Sequence, residues 1–309
     1  ITTRKGREGS LRMNFDAFYG ITSPNRGTFP EFMTPAEYAR YRYDSYINAG
    51  MDPGASLGAM YGPGNNPVLP EYLIAGAAVG VGVTPADADP ARYNSNPASF
   101  YQITRANHAG TDWMRAITQN GAIQNYQLGG NGGSKNAVYA FSLGYLDQKG
   151  TVKHTGFKRY NVRTNMQLNA LNNHFRVGGN IQFTRTEGVG FATNSSTAGE
   201  YQNEYSPIGN VYKIQPIIPV YDIAGGFAGA RGATLGDAKN PLAILYRAKD
   251  NYRRENRTFG NIFAEIDLIK GLTARSSFGA NLFNYNAQQI RYPAMEDAVS
   301  ISTNGYNAT

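Results

Sequence analysis

The sequence predicts an all-β fold: a transmembrane antiparallel β-barrel, of which this chain supplies about seven strands. Apolar and polar residues alternate with period two along successive segments, which on a strand gives one apolar and one polar face. These segments run for about ten to thirteen residues, enough to cross a bilayer at a tilt and about twice the usual strand length. Tight turns alternate with longer connections, two of them very long, which is typical of outer-membrane barrels.

The clearest alternation lies in three segments between residues 122 and 186. In the segment 157–168, one parity is mainly apolar (Tyr160, Val162, Thr164, Met166, Leu168) and the other is polar (Arg159, Asn161, Arg163, Asn165, Gln167). The segment 175–184 repeats this pattern. The segment 139–145 carries Tyr139 and Tyr145 near its ends, and we expect Tyr160 to neighbour Tyr145 in the aromatic girdle of a membrane barrel.

The remaining strands follow the same pattern along the chain. The first is predicted at 11–19, the second at 123–130, the sixth at 258–268 and the seventh at 272–282. Turns are predicted at 131–134, 171–173 and 270–271, because Gly and Asn tolerate the positive φ that tight hairpins need. The two long excursions, about 20–121 and 187–255, are expected on the opposite edge of the sheet.

Helices are expected inside these excursions. Thr34, Pro35 and Glu37 stand at the N-cap, N1 and N3 positions of a capping box, which predicts a helix over 34–49. The pair Asn240-Pro241 opens a second predicted helix, 240–249, and Thr111 is a candidate cap for a short one. The Gly-rich run 73–83 is interpreted as a loop or a short strand.

Composition excludes several classes of function. No run approaches 18 apolar residues, so no transmembrane helix is predicted. The net charge is +7, but Lys and Arg are scattered, which argues against nucleic-acid binding. There is no Cys, and His108, His154 and His174 stand at no metal-ligand spacing, so no catalytic centre, metal site or cofactor is predicted.

Seven strands would leave two long edges unpaired. In lipid, each unpaired backbone group is costly, and single-chain bacterial barrels have even strand numbers. We therefore expect the 309 residues, which begin with Ile and not Met, to be part of a larger barrel.

Several motifs in order carry a family resemblance. They are Ile-Thr-Thr-Arg-Lys-Gly at 1–6, Thr-Asp-Trp at 111–113, Gly-Gly-Ser at 132–134, the Tyr-to-Gly run at 139–150, and Phe-Lys-Arg-Tyr-Asn-Val-Arg-Thr-Asn at 157–165. Each motif alone is weak, but their order and spacing are specific. The chain resembles the SusC/RagA family of TonB-dependent outer-membrane transporters of the Bacteroidota.

The resemblance implies a 22-stranded barrel with a plug in its lumen. Residues 1–9 would be the end of the plug domain and a linker, and residues 10–309 the N-terminal part of the barrel. The protein would import oligosaccharides or peptides across the bacterial outer membrane, together with a SusD-like surface lipoprotein. TonB would engage a segment outside this chain, and no bond would be made or broken.

Candidate site residues fall into two groups. Arg159, Arg163, Asn165 and Arg176 share the polar parity, and an Arg on the lipid face at the midplane would cost about 2–4 kcal/mol, so this parity must face the lumen. These side chains either guide a substrate or form ion pairs with one another and with the plug, and ion pairing is favoured for any single residue. Three aromatic residues of the long excursions could stack on substrate or pack the loops: Trp113, Tyr201 and Tyr205.

Three alternatives stay open at this point. A soluble sandwich could have long strands, but it has no reason to segregate short and long connections. An outer-membrane barrel enzyme, a lipase or protease, would need a partner for one of the three histidines. A passive porin or adhesin would share the wall pattern without energy coupling.

Overall fold

The computed structural model describes residues 6–76, 85–93, 101–190, 206–232, 234–290, 292, 296 and 306–308. Within these residues the strands and helices, in chain order, are β1 (Gly9–Thr22), α1 (Pro35–Asn48), α2 (Pro53–Tyr61), β2 (Tyr72–Gly76), β3 (Tyr101–Arg105), α3 (Trp113–Ile117), β4 (Gly121–Gly133), β5 (Ala137–Lys149), β6 (Gly156–Ala170), β7 (Phe175–Val189), α4 (Pro207–Lys213), α5 (Pro241–Arg247), β8 (Tyr252–Ile269), β9 (Leu272–Ile290) and β10 (Tyr306–Ala308).

One antiparallel sheet dominates the described part of the chain. Its strand order is β1-β4-β5-β6-β7-β8-β9-β10, so sequential strands are neighbours except where β2 and β3 form a separate pair. The seven predicted strands correspond to β1 and β4 to β9, which confirms the predicted antiparallel wall. The expected neighbours Tyr145 and Tyr160 stand directly opposite each other.

The strands are longer than predicted. The β7–β8 ladder continues to Val189 opposite Tyr252, beyond the range in which apolar and polar residues alternate cleanly. The extra residues lie at the ends that lead into the longer connections, where a strand no longer needs an apolar face. Alternation therefore predicts the part of each strand that has one apolar face and misses its extension.

Two of the tight turns lie at their predicted positions, and one is shifted. Leu171, Asn172 and Asn173 all have positive φ, between 50° and 70°, and Gly271 has φ 88°. The turn predicted at 131–134 lies instead at 134–136, where the Ser134 amide donates to the Ala137 carbonyl at 2.7 Å. Gly132 and Gly133 remain in β4, paired with β5, because both adopt ordinary extended backbone.

The two faces of the sheet differ in exposure as well as polarity. Along β6, the even-numbered apolar side chains such as Val162 and Met166 are exposed, whereas the odd-numbered polar ones such as Arg163 and Asn165 are half-buried. We refer to the apolar side of the sheet as the outer face and to the polar side as the inner face.

The excursions between strands form a compact unit with its own core. Apolar side chains from α1, α2, β2, α3, α4 and α5 pack together, including Tyr43, Tyr61, Trp113, Val211 and Leu245. Since these residues come from both long excursions, neither excursion is an independent loop. Among the described residues, no helix is long and apolar enough to cross a membrane.

Local signals explain most of these helices. Helix α1 has the predicted capping box, in which the Glu37 amide donates to the Thr34 hydroxyl and the Glu37 carboxylate accepts from the Thr34 amide. Asn240 caps α5 as predicted. The cap of α3 is Asp112, not Thr111, since the Asp112 carboxylate accepts from the Arg115 amide at 2.9 Å. Helices α2 and α4 were not predicted, because Gly and Pro obscure their pattern.

Candidate functional site

The inner face carries the polar side chains that the sequence singled out on β6. Arg159 lies opposite Leu146 on β5 and Thr186 on β7. Arg163, on the same strand, lies opposite Ser142 and Gln182 in the same way. Neither guanidinium makes a hydrogen bond or ion pair with any residue that the structure describes.

Asn165 continues this row of polar side chains. It lies opposite Asn180 on β7, whose side-chain amide donates to the Asn261 side-chain oxygen at 2.7 Å. The inner face at this level is therefore lined by amides from three strands. Amides both donate and accept, so this zone can hydrogen-bond hydroxyl or peptide groups without adding charge.

Arg176 has a different environment from the arginines of β6. Its Nε donates to Glu265 at 2.9 Å, and its two terminal nitrogens donate to the two Asp267 carboxylate oxygens at 2.8 Å each. Arg275 pairs with the other oxygen of Glu265. The bidentate contact fixes Arg176 between β7 and β8, so its N–H groups hold these two strands together.

Trp113 lies where a ligand cannot reach it in this conformation. The structure places its side chain in the core of the loop unit, where it is 2% exposed, and not on the surface that the sequence suggested for substrate stacking. The sequence alone does not show whether other segments of the chain bury a Trp that lies in a loop. Tyr201 and Tyr205, the other aromatic candidates, lie outside the described residues.

Hydrogen bonds fasten the two long excursions to each other. The Tyr61 hydroxyl donates to the Gln215 side-chain oxygen at 2.9 Å, and burial raises the pKa of Tyr61, which keeps it a donor. The amide of Asn107 donates to the Ile217 carbonyl at 2.8 Å. The Lys153 amide donates to the Ile117 carbonyl at 2.8 Å, so the shorter β5–β6 connection joins the same unit.

His154 illustrates how the histidines are used. Its ring packs edge-on against Tyr246 with 5.5 Å between centroids, and burial, with the nearby charge of Lys153, lowers its pKa. His108 instead contacts the Pro70 carbonyl at 2.8 Å, while His174 follows the β6–β7 turn at the opposite edge. Within the described residues, no three His, Asp or Glu side chains group as metal ligands.

A ring-and-charge boundary crosses the outer face. Tyr126, Tyr145 and Tyr160 form a row across β4, β5 and β6, with ring centroids 6.4 and 5.0 Å apart. One step toward the longer connections, Asp147 pairs with Lys158 at 3.5 Å. An aromatic row bordered by charges on one side and apolar residues on the other is typical of the membrane surface.

The next two strands continue the charged row. Glu187 on β7 lies opposite Lys158 on one side and Arg254 on the other, and its carboxylate is 3.4 Å from Arg254. Below the boundary, the outer-face residues of β8 from Thr258 to Leu268 are uncharged and mainly apolar. At about 3.4 Å per residue and a tilt of about 40° this stretch is about 26 Å tall, near the height of a barrel's apolar band.

The sequence reasoning missed part of the inner face. Arg253, Glu255 and Arg257 lie on the inner-face parity of β8, and Phe283 and Tyr285 on that of β9. All five come from strand ends that the prediction assigned to a loop or left beyond the strand. Extending the period-two pattern of β8 toward residue 252 and that of β9 toward residue 285 identifies them.

Comparison with known proteins gives relatives of one kind. No protein-family model matches the chain. Over 172 residues, 55% of this chain, it is 30% identical to TonB-dependent receptor P3 of Formosa agariphila, a match that covers 16% of that protein. It is 27% identical to TonB-dependent receptor SusC of Bacteroides thetaiotaomicron over 173 residues, covering 50% of this chain and 16% of SusC.

Solved structures share the fold over nearly the whole chain. The RagAB peptide importer in the closed-closed state matches with a TM-score of 0.64 and 22% identity, covering 94% of this chain and 30% of the solved chain. The open-open state gives a TM-score of 0.60 over the same coverage. The predicted resemblance to the SusC/RagA family is confirmed, and the chain spans less than a third of these relatives.

Proposed function

We propose that this chain forms part of the wall of a SusC-type, TonB-dependent outer-membrane importer that takes up oligosaccharides or peptides. The observation that carries the proposal is the wall formed by the seven long strands of the eight-stranded sheet. It is apolar outside and polar inside, with short turns at one edge and a fastened loop unit at the other. Membrane barrels need this division of faces. The receptors to which the chain is similar support the same function.

The partners follow from the same relatives. A SusD-like surface lipoprotein would close over the loop unit, and TonB would engage a segment outside this chain. Residues 1–9 would end the plug domain, and residues 10–309 would form the N-terminal part of the barrel. Outer-membrane lipid would cover the outer face, where Val162, Met166 and Ile181 are exposed.

Transport without chemistry is part of the proposal. Arg159, Arg163 and Asn165 would line the path of the substrate, and Tyr201 and Tyr205 are proposed to contact it in the loops. The protein would use no cofactor. Substrate would be captured under the lipoprotein and released inward by an energy-driven rearrangement of the plug.

Uptake measurements test this proposal. Cells lacking the full-length protein should fail to deplete one class of oligosaccharide or peptide from the medium, and complementation should restore depletion. Collapse of the proton gradient should abolish that uptake. Uptake that persists without the gradient would indicate a passive porin and contradict the proposal.

An enzyme would give a different result in the same strains. Isolated outer membranes with the protein should not hydrolyse substrate faster than membranes without it. If hydrolysis depends on the protein and is lost when His108, His154 and His174 are replaced by Ala, while uptake is intact, a barrel enzyme replaces the importer.

A further inference from the structure

Charge on the inner face is unevenly distributed along the membrane normal. Near the tight turns, on β6 to β9, two arginines face two carboxylates: Arg176 and Arg275 with Glu265 and Asp267. In the half near the longer connections, the same strands carry four arginines and one glutamate: Arg159, Arg163, Arg253, Arg257 and Glu255. The first zone is neutral and the second is strongly cationic.

The single glutamate of the cationic zone is already engaged. Glu255 pairs with Arg253 at 2.9 Å, and the Arg253 guanidinium also lies 5.1 Å from the centre of the Tyr285 ring. The Nε of Arg257 donates to the neutral Asn281 side chain at 3.0 Å. Within the described residues, Arg159, Arg163 and Arg257 therefore have no carboxylate partner.

The two arginines of β6 have no carboxylate directly opposite them on the neighbouring strands. They stand four residues apart, about 13 Å along the strand. Their cross-strand neighbours on β7 are Thr186 and Gln182, which carry no charge. At this separation their mutual repulsion is largely screened in an aqueous lumen, so both guanidinium groups are available to an anionic ligand.

Exposed aromatic rings share this zone of the inner face. Phe259 is 55% exposed and lies opposite Gln182, the neighbour of Arg163. Phe283 is 62% exposed and lies opposite Arg257 on the adjacent strand. A ligand that meets this surface therefore finds guanidinium forks, which fit carboxylates, next to flat apolar rings.

We infer that the cationic zone (Arg159, Arg163 and Arg257 with Phe259 and Phe283) binds carboxylate groups of an anionic substrate. This inference rests on the proposed function and specifies its substrate class. The zone extends from Arg159, beside Tyr160, to the level of Arg163 and Phe259, and so lies between the loop unit and the neutral zone. An entering substrate therefore meets it before the neutral zone. Carboxylates would form charge-assisted hydrogen bonds with the arginines, while the substrate's apolar face lies on the rings.

Binding by the purified full-length protein, assembled with its lipoprotein partner, tests the inference. Four probes are used: a glutamate-containing pentapeptide, its glutamine counterpart, an oligogalacturonate and the same oligogalacturonate with its carboxylates methyl-esterified. The acidic member of one pair should bind at least roughly ten times more tightly than its neutral counterpart, and less tightly as salt rises. Which pair shows the preference distinguishes peptide from glycan.

Matched variants assign the preference to these residues. R159Q/R163Q should weaken binding of the acidic probe about tenfold and leave the neutral probe unchanged. The control K135Q/K270Q removes the same charge from the turns at the opposite edge and should change neither. R159K/R163K keeps the charge without the fork and should give an intermediate loss, and it also serves if the glutamine variant fails to fold.

Several results would overturn the inference. They are an acidic probe that binds no better than the neutral one, an equal loss in the control, a variant that binds both probes as the parent does, and absence of binding by all four probes. The proposed function is judged separately, by gradient-dependent nutrient uptake in cells. If that uptake persists in R159Q/R163Q for neutral and acidic nutrients alike, the result supports the importer and contradicts the carboxylate site.

Discussion

At the scale of single residues, one-residue steps along a strand decide the environment of a side chain. Ile181 is exposed on the outer face, while its neighbour Gln182 faces inward opposite Arg163. The two residues are adjacent on β7, and both are paired with β6 and β8. The proposed function assigns lipid to the first side chain and the lumen to the second.

This pair gives a matched prediction. Ile181→Arg in the full-length protein should lower the free energy of unfolding in lipid vesicles by about 2–4 kcal/mol, because it places a cation on the lipid face near the midplane. Gln182→Glu, which places a charge of equal size on the inner face opposite Arg163, should cost less than about 1 kcal/mol. Denaturant titration with a gel-shift readout of folded barrel measures both, and equal losses would contradict the assignment of faces.

At the scale of elements, the helices and connections act as one unit. Trp113 on α3 is buried among residues of both excursions, and Tyr61 of α2 reaches Gln215 beyond α4. A helix of five residues such as α3 has little stability of its own. Its order comes from the shared core, so loosening one contact should loosen several helices.

Trp113→Ala tests this shared core. Removal of a buried Trp typically costs about 3–5 kcal/mol, so amide exchange should accelerate in α1, α2, α4 and α5 together, while β6 and β7 stay protected. Tyr41→Ala, at a side chain of α1 that is 57% exposed, is the control and should leave exchange in the other helices unchanged. Faster exchange confined to α3 would mean that the excursions are independent.

The same elements indicate how far the sequence carried the prediction. Two features depend on local signals: the capping box at Thr34 and the β6–β7 turn at Leu171, Asn172 and Asn173. Both lie at their predicted positions. Burial of Trp113 depends on chain segments about a hundred residues away, which no local pattern encodes. The β4–β5 turn was misplaced because Gly132 and Gly133 fit a strand as readily as a turn.

For candidate site residues, the face was predictable and the partners were not. Period two placed Arg163 and Arg176 on one face, and the structure agrees. Only the register with β8 shows that Arg176 forms an ion pair with Asp267. In the same register, Arg163 lies opposite Gln182 on β7, which lies opposite Phe259 on β8. Register between strands joined by a long excursion is set by the whole sheet, so single-strand patterns cannot supply it.

At the scale of the whole molecule, three zones stack along the sheet. The tight turns and the neutral charge network lie at one edge, and the apolar band of the outer face lies in the middle. The ring-and-charge boundary and the loop unit follow at the other edge. This order matches the environments that a protein of the outer membrane meets from periplasm to exterior, and it supports the proposed role of the wall as a membrane barrier.

The most direct test of that account is a cysteine scan along β6. The 309 residues contain no Cys. Single cysteines from 160 to 168 are introduced into the full-length protein in membrane vesicles, after replacement of any Cys outside these residues. A fluorescent label attached to a cysteine at an even position should be quenched by nitroxide lipids, and the unlabelled cysteine there should react slowly with a water-soluble maleimide. At odd positions the label should not be quenched and the cysteine should react rapidly. If all nine positions react alike, or if the alternation is inverted, the wall does not separate lipid from lumen and the central claim fails.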